Sequence, residues 1–571
     1  MTRGKSEDTL DERKAYLRRY EVLKQKRTPW LSYWQELGEN FAPFSTKYMT
    51  DNGKQRVSKN DLLNSTPLRS ARVTAAGMMT SITSPARKWF KLSKQFAAMV
   101  ENPDVRIWLE DVENGIYQIF ARSNIYSALS STFKGLAVFG THAFFVEEDP
   151  DEVVRAYMMP LGTYCLEASA RRSIDTCYRD CTLTTSQMVE RFGYDKCSSH
   201  VQDLFDRGDR DSEHKVIHVV EPNKSFLKGK RSYKDKPFRS VWIEENTAAQ
   251  GFLRESGYFE FPVLAPRWYV EGDDVYGSDC PGMIALGDAK QLQVLEESAT
   301  MIVEQGSEPS LLASAALRNS DISLRPGDVT YGDSTNGAPA AAPLFTPPPH
   351  WISALQNKIK ENSDRISSAF FVDLFMALSE TDRRQITAEE VRVRQQEKML
   401  QLGPVCEQLN NELLDALIDR VFAIAYRMGR LPPAPKELES QTIRVEYLSI
   451  LSQAQKSIGV GSIQQFVASV ANLAQMNPES LDRVNFDETV NNLAEMYGVP
   501  PRMVNSMEVV KQIREARAQQ QQMAQQMAMQ SEAAQQVQTL AKAKTDTPSA
   551  LTALMAQNGP LASAMGGGGE M

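Results

Sequence analysis

The residues best suited to metal chemistry lie close together in the first half of the chain: Cys177, Cys181, Cys197 and His200. Thiolate and imidazole groups at short spacing are the usual ligands of tetrahedral zinc. Cys177 and Cys181, however, fall in an alternating strand pattern without an intervening turn, which predicts small buried residues. The pattern therefore favours buried cysteines, and a metal-dependent or nucleic-acid-processing enzyme is the alternative.

Other catalytic signals are weak. The five histidines are scattered, and His142 and His218 lie beside apolar strand residues, which predicts satisfied core groups. The sequence has neither an H-E-x-x-H nor a G-x-S-x-G motif. The basic run Lys224–Arg231 lacks the glycine spacing of a phosphate-binding loop and predicts a solvated hairpin. We therefore expect a non-enzymatic protein without a cofactor.

Two sets of polar and basic residues in the second half could contact nucleic acid: Lys358, Lys360 and Arg365, then Arg383, Arg384 and Gln385. Acidic residues balance each set, namely Glu361 and Asp364 for the first and Glu380 and Asp382 for the second. Charge alone therefore indicates ordinary solvated side chains.

Bulk properties narrow the class of protein. The 571 residues allow several domains, and the net charge of −8 argues against a protein that coats nucleic acid. Six cysteines are too few for a disulfide scaffold. The charged segment Met1–Lys26 is not a signal peptide, and no apolar run approaches the ~18 residues of a membrane span. These features predict a soluble protein made in the cytoplasm, with no membrane partner.

The elements of the first half indicate an α+β domain with a mixed or antiparallel sheet. Helices are predicted over residues 7–42, from Thr66 to Ser84-Pro85, and over 103–140. Short strands separated by turns follow, with one helix at Ser186–Phe192. The predicted strands are Ala143–Glu147, Val153–Met158, Thr176–Thr184, Lys215–Glu221, Ser240–Glu244 and Gly257–Leu264.

The second half has a more elongated pattern. Helical spacing from Leu292 to Ile302 and from Ile352 to Asp373 brackets a Pro/Gly/Ala-rich insert, Gly306–Pro349. The latter series is heptad-like and is followed by a polar loop, Met376–Ile386. A capping box then opens a helix over 387–428, roughly 63 Å long, with a kink expected at Gly403-Pro404. Such a layout is typical of a large subunit that assembles with others.

The C-terminal region is predicted to be helical and then disordered. Residues 440–505 indicate several short helices, and 507–543 a Gln/Ala/Met-rich helix whose weak apolar face implies self-association. The tail Thr545–Met571 is compositionally disordered.

Several motifs, in this order along residues 10–510, resemble the head-to-tail connecting (portal) proteins of short-tailed bacteriophages. They are Arg27-x-x-Trp30 to Ala42-Pro43, Asn64-Ser65-Thr66 through Gly77-Met78 to Trp89-Phe90, Pro266-Arg267-Trp268 to Tyr276-Gly277-Ser278, Leu286-Gly287-Asp288, and Ile386-Thr387 to Glu390-Val391. The order of the motifs makes the resemblance specific. An internal ejection protein, another virion component, would instead predict long helices and no α+β domain.

The resemblance implies a portal fold with named parts. These are a wing at 1–284, stem helices at 285–306 and 350–375, a clip at 307–349, a channel loop at 376–386, a long kinked wing helix at 387–430, a crown at 431–510, a Gln-rich helix at 511–545 that could extend as a barrel, and a disordered tail at 546–571.

The resemblance also implies partners. Portal proteins form rings of about twelve subunits around a channel for double-stranded DNA. The expected partners are a terminase motor, tail adaptors, and capsid and scaffolding proteins. DNA-facing residues would be Arg383, Arg384, Gln385, Lys358, Lys360 and Arg365. Clip residues that dock the motor and adaptors would be Arg325, Asp328, Tyr331 and Phe345. The protein would be made in the bacterial cytoplasm and reside in the virion, at the portal vertex of the capsid.

Overall fold

Helices and antiparallel strands alternate through the first two-thirds of the protein, whose structure is a computed structural model. It describes residues 2–48, 62–94, 103–224, 226, 235–245, 251–313, 341–344, 348–379, 402–435, 443–447, 466–470, 485–490 and 507–542. The chain divides into two units, residues 1–463 and 464–571. The predicted combination of helices with antiparallel sheet is confirmed.

Proline residues set the ends of the first helices. Helix α1, Thr2–Phe41, stops just before Pro43, and α2, Thr66–Ile82, begins with proline in its first turn. The helix predicted over 103–140 is two helices, α3 (Pro103–Arg122) and α4 (Ile125–Phe139). They separate at Asn124, whose side chain instead bonds the backbone N–H and C=O of Ala156.

Eight strands form two antiparallel sheets, and a ninth, β1, pairs outside both of them. Their ranges are β1 (Phe90–Lys94), β2 (Ala143–Asp149), β3 (Val153–Met159), β4 (Tyr164–Ala168), β5 (Ile174–Thr184), β6 (Glu213–Pro222), β7 (Phe238–Glu244), β8 (Arg254–Tyr258) and β9 (Val263–Leu264). The sheet orders are β3-β2-β9 and β4-β5-β6-β7-β8.

The sequence prediction was wrong at three places in this region. The predicted strand Gly257–Leu264 is divided between β8 and β9, which belong to different sheets, because Pro262 lies between them. Strand β4 was missed. Of the two helices here, α5 (Thr185–Phe192) was predicted and has a complete capping box, whereas α6 (Ser199–Asp206) was missed.

A helix pair follows the sheets. Helix α7 (Pro281–Ser307) leads to the short strand β10 (Leu311–Ala313), which pairs with β11 (Ala341–Pro343) before α8 (Pro349–Ala369). The heptad-like series predicted to run to Asp373 is broken at Phe371, which has φ +55°. Asp373 therefore lies on a separate helix, α9 (Val372–Ser379). The first four residues of the predicted loop 376–386 are helical, and the others lie outside the described residues.

The described part of the long helix has an irregular middle. Helix α10 (Gly403–Leu409), a π-helical turn (Asn410–Leu414) and α11 (Asp415–Arg427) follow one another directly. Pro404 stands in the first turn of α10, where its missing N–H leaves no broken bond. Gly429, with φ +66°, ends the helix before Pro432-Pro433 as expected. Residues 387–401 lie outside the described residues.

The segment after residue 440, predicted as short helices, begins instead with a strand. Strand β12 (Ile443–Tyr447) pairs with β1 and so belongs to the first unit. In the second unit, residues 466–470 and 486–490 are helical, and α12 spans Met507–Lys542. Arg514 of α12 forms two hydrogen bonds with Asp487.

Aromatic side chains join α1 to the rest of the first unit. Trp34 is fully buried and packs edge-to-face on Tyr276, with ring centroids 5.0 Å apart. The Tyr276 hydroxyl accepts a hydrogen bond from the backbone of Leu166 in β4. Nearer the start of α1, Tyr20 stacks on Tyr178 of β5. Tyr276, which belongs to one of the motifs noted in the sequence, thus lies in the core.

Candidate functional site

Helices α7 and α8 form an antiparallel pair, which is the described part of the region predicted to act as the stem. Asn362 of α8 donates to Gln291 of α7 at 3.1 Å, and Arg365 lies 3.7 Å from Asp288. Later residues of α8 therefore lie beside earlier residues of α7, as in an antiparallel pair. Asn362 is fully buried in this seam. A buried amide pair of this kind fixes how two helices align.

The base of α7 is anchored tightly in the core. A Cβ atom on Gly282 would come within 2.4 Å of the Val138 carbonyl oxygen. The Cys280 thiol donates to that same oxygen at 3.3 Å. The first turns of α7 also bury Ala285, Leu286, Ala289 and Leu292. The helix pair is therefore fixed at one end.

The helix pair also exposes apolar side chains along its length. Ile284, Val294 and Met301 of α7 are exposed by 62%, 61% and 57%. Their spacing places them on the helix face opposite the buried residues. Trp351 of α8 is also about half exposed, at 48%. Apolar side chains exposed along a helix indicate a protein-protein contact, and Ile284, Val294 and Met301 are called the apolar stripe below.

The three basic residues predicted on α8 do not form one patch. Lys358 and Arg365, seven residues apart, share a side of the helix and both bond Glu361, at 3.0 and 2.5 Å. These cations lower the pKa of the Glu361 carboxyl. Lys360 is exposed on the opposite side and has no carboxylate partner among the described residues. Lys360 is thus the least compensated of the three charges.

The remaining predicted site residues lie outside the described residues. These are Arg383, Arg384 and Gln385 of the predicted channel loop, and Arg325, Asp328, Tyr331 and Phe345 of the predicted clip. Their roles stay predictions.

The residues considered for a metal site occupy separate places. Cys177 and Cys181 are four residues apart on β5, or roughly 13 Å, and contact different hydrophobic clusters. The buried Cys197 thiol donates to the Gly193 carbonyl, whereas His200 is exposed on α6. Burial raises the pKa of Cys177 to about 12 and of Cys197 to about 11, which keeps both as thiols. Among the described residues no group of three or more potential ligands could hold a metal ion.

One contact that sequence analysis did not identify joins the two halves of the first unit. Arg267 is buried and forms an ion pair with Glu412 of the π-helical turn. The only sequence signal was the motif Pro266-Arg267-Trp268, which was noted without a partner. A separation of 145 residues hides such a pair from local patterns.

The comparisons with known proteins agree with this architecture. The family described as bacteriophage head to tail connecting protein matches residues 13–504. The portal protein of Salmonella phage epsilon15 is 41% identical over 95% of this chain and 98% of its own length. The probable portal protein of Bordetella phage BPP-1 is 37% identical over 95% and 97%. A chain of the virion of native gene transfer agent particle has a TM-score of 0.31 at 10% identity, covering 71% of this chain and 86% of its own, a likeness too weak to indicate the fold.

An α+β unit with a helix pair that exposes apolar side chains and these relatives together define a structural component of the phage capsid. The chain belongs to the bacteriophage head-to-tail connecting family, the portal proteins. Its role is that of the portal, an oligomeric ring of the capsid that connects the head to the tail. Within the described residues, no helix combines the length and apolarity that crossing a bilayer requires.

Proposed function

We propose that about twelve copies of this chain form a ring, with α7 and α8 lining the axial channel. Double-stranded DNA would enter through that channel, driven by a separate terminase ATPase, and leave through it at ejection. The chain itself would catalyse no reaction. The observation that supports this proposal best is the exposed apolar stripe of α7, Ile284, Val294 and Met301, because one subunit alone leaves it in water.

The stripe fits the geometry of a closed ring. In a ring each subunit contacts two neighbours through different surfaces, so a projecting helix pair can bury its outer face against the next pair. Lys360 of α8 is exposed on the side of that helix opposite Lys358 and Arg365, which leaves it free to face the lumen or the solvent. We therefore assign the stripe to the contact between subunits.

The charge balance suits a channel through which DNA moves. Each phosphate that a protein neutralises adds affinity through counterion release, and a strongly basic channel would hold DNA in place. The chain carries a net charge of −8, and two of the three basic residues of α8 are paired with carboxylates. Contacts with the DNA backbone would be few and independent of base sequence.

The test of the ring proposal is a matched pair of charge substitutions on α7. Val294→Glu places a carboxylate in the stripe, and Thr300→Glu places the same charge at another exposed position of the same helix. We expect Val294→Glu to reduce the ring fraction by about tenfold or more, because a buried unpaired charge is costly. Thr300→Glu should assemble as the unmodified chain does. Native mass spectrometry and negative-stain electron microscopy of the full-length proteins measure both.

Two outcomes would reject the proposal. One is equal assembly of both variants, which would remove the stripe from the interface. The other is a closed oligomer without an axial hole wide enough for a duplex, roughly 20 Å. That second result would reject the channel itself.

The clip is proposed to dock the terminase motor during packaging and tail adaptors afterwards, through Arg325, Asp328, Tyr331 and Phe345. Two described strands of the predicted clip, β10 and β11, pair at the far end of the helix pair from the anchored base. This supports a position at the tip of the stem. Deleting part of 326–349 should leave rings intact and abolish binding of the motor or adaptor. Rings that keep both partners would contradict the assignment.

We also propose that α12 assembles with its copies in the ring as a helical barrel. Apolar residues recur along it at alternating steps of four and three: Val509, Ile513, Ala516, Met523 and Met527, with Gln520 at the intervening seam position. Such spacing places them on one face of the helix. The side chains of Met523 and Met527 are 61% and 70% exposed in the single chain, so their burial requires a partner.

A further inference from the structure

Arg267 uses its whole guanidinium group inside the first unit. The side chain is 3% exposed. Its Nε donates to both carboxylate oxygens of Glu412, at 3.1 and 3.2 Å, and Nη2 donates to Glu412 as well. Nη1 donates to the carbonyl of Asp274 at 3.2 Å, and Nη2 also to that of Arg172 at 2.9 Å. Five donors in a planar fork permit this, and lysine could not replace them.

These bonds connect three elements that are far apart in sequence. Arg172 lies at the tip of the β4–β5 hairpin with φ +63°, an uncommon conformation for a residue with a side chain, and presents its carbonyl to the guanidinium. Asp274 lies in the segment that leads into α7. Glu412 lies in the π-helical turn between α10 and α11. One buried cation thus links the hairpin, the entry to α7 and the long helix.

The π-helical turn depends on the same carboxylate. A π turn holds one residue more than an α turn and is rare within helices, where it often marks a functional site. Glu412 also accepts from the backbone N–H of Arg267 at 3.0 Å and from Gln408 at 2.7 Å. Beside it lies a cavity of about 550 Å³, partly lined by Gln408, Asn411 and Ala416. The turn is therefore not held by close packing on that side.

We propose that residues 410–414 are a register joint in the long helix, held in π geometry by the Arg267–Glu412 pair. Its second state is a regular α-helix, reached when Glu412 leaves Arg267 and the extra residue passes out of the turn. That change rotates α10 by about 100° and shifts it by about 1.5 Å relative to α11. Because Arg267 also holds Asp274, the register of the long helix is coupled to the base of α7.

Hydrogen exchange of the full-length chain tests the joint. Glu412→Gln keeps the size of the side chain and removes the charge that receives the guanidinium. We expect exchange of the α10 amides to rise by about tenfold or more, since bonds to charged groups are among the strongest. Exchange should also rise near Asp274 at the entry to α7. The amides of α11 should change by less than about twofold.

The matched control removes another ion pair of the same helix. Arg427 at the end of α11 pairs with Glu148 and Glu260, at 2.9 and 2.6 Å, and does not contact the π turn. Arg427→Gln should leave α10 exchange unchanged. Equal effects of both variants on α10, or a uniform rise across α10 and α11 in Glu412→Gln, would overturn the proposal.

A second measurement does not depend on a variant that folds. In the unmodified chain, the joint predicts that 403–414 exchange together, faster than α11. Exchange of α10, the turn and α11 as a single unit would overturn the inference.

Discussion

At the residue scale, His142 has an unusual environment for an ionisable group. Its Nδ1 atom is buried and has no hydrogen-bond partner. The ring is confined by α4, because a Cβ atom on Gly135 would come within 2.2 Å of it. Burial lowers the pKa of the imidazole from its ordinary 6.5 to about 4. The native protein therefore resists protonation of this side chain.

The shift makes stability depend on pH in a defined direction. Below pH 6.5 the unfolded chain binds a proton at His142 that the folded chain binds only near pH 4. The contribution is fully present above pH 6.5 and is lost as the pH falls towards 4. By pH 5 the loss is about 2 kcal/mol per subunit. His142→Gln should reduce the loss of unfolding free energy between about pH 7.5 and 5 by that amount, measured by urea denaturation.

The control for this prediction is His350→Gln, which changes an exposed histidine of α8. This substitution should leave the loss of unfolding free energy between about pH 7.5 and 5 the same as in the unmodified chain. An unchanged loss of unfolding free energy in His142→Gln would show that this imidazole does not control acid stability.

Sequence analysis assigned His142 and His218 the same role, and only one of the two assignments holds. His218 is satisfied as predicted, since Arg179 donates to its Nδ1 and Ser240 bonds its Nε2 at 2.9 Å. His142 is partly buried, and its buried Nδ1 atom has no hydrogen-bond partner. Both residues have apolar neighbours in the sequence, and this local pattern predicts that their side chains are buried. Hydrogen-bond partners come from other strands, which no local pattern contains.

At the element scale, α12 offers a test of self-association. Met527→Lys places a charge in the proposed seam, whereas Met529→Lys places it about 200° around the helix from Met527. Both methionines are 70% exposed in the single chain, so neither change disturbs the subunit core. We expect amides of 507–542 to be protected in assembled rings, and Met527→Lys to reduce that protection by about tenfold or more.

Met529→Lys is the matched control and should keep the protection. Equal protection in both variants would exclude the seam, and an unprotected α12 in unmodified rings would exclude the barrel.

The ends of elements show what sequence can specify. The end of α1 before Pro43 and the start of α2 at Thr66 follow from the dihedral limits of proline and from capping. The breaks at Asn124 and Phe371 and the π-helical turn were not predicted. Each depends on a tertiary contact, such as the hydrogen bond of Thr74 to the Phe370 carbonyl at 2.5 Å. Helical periodicity continues through all three places and conceals them.

The candidate site was predicted to a similar extent. Proline and glycine spacing indicated the helix pair, and the structure pairs α7 with α8 where the heptad-like series runs. The seam position Asn362 was noted as polar, but its partner Gln291 depends on the alignment of two helices. The Arg267–Glu412 pair depends on the whole fold of the first unit and has no local signal.

At the scale of the whole molecule, a ring multiplies small charges. A single subunit contributes Arg383 and Arg384 to the predicted channel loop, beside Glu380 and Asp382. About twelve copies around an axis would present a ring of cations to each passing turn of DNA. Because backbone contacts carry no sequence information, such a ring could grip or centre any duplex.

Replacing Arg383 and Arg384 together by alanine should therefore leave ring assembly intact and weaken DNA retention. We expect the fraction of heads that lose their DNA to rise at least roughly twofold, and to rise further with salt as counterions compete for the phosphates. DNA content per assembled head, before and after storage at two salt concentrations, measures this effect.

The double lysine variant keeps the charge and should retain DNA nearly as well, since a backbone grip needs a cation and no particular fork geometry. If the alanine variant packages and retains DNA as the unmodified protein does, the charge of the loop has no part in holding the genome. If lysine fails together with alanine, the guanidinium geometry rather than the charge is what the loop supplies.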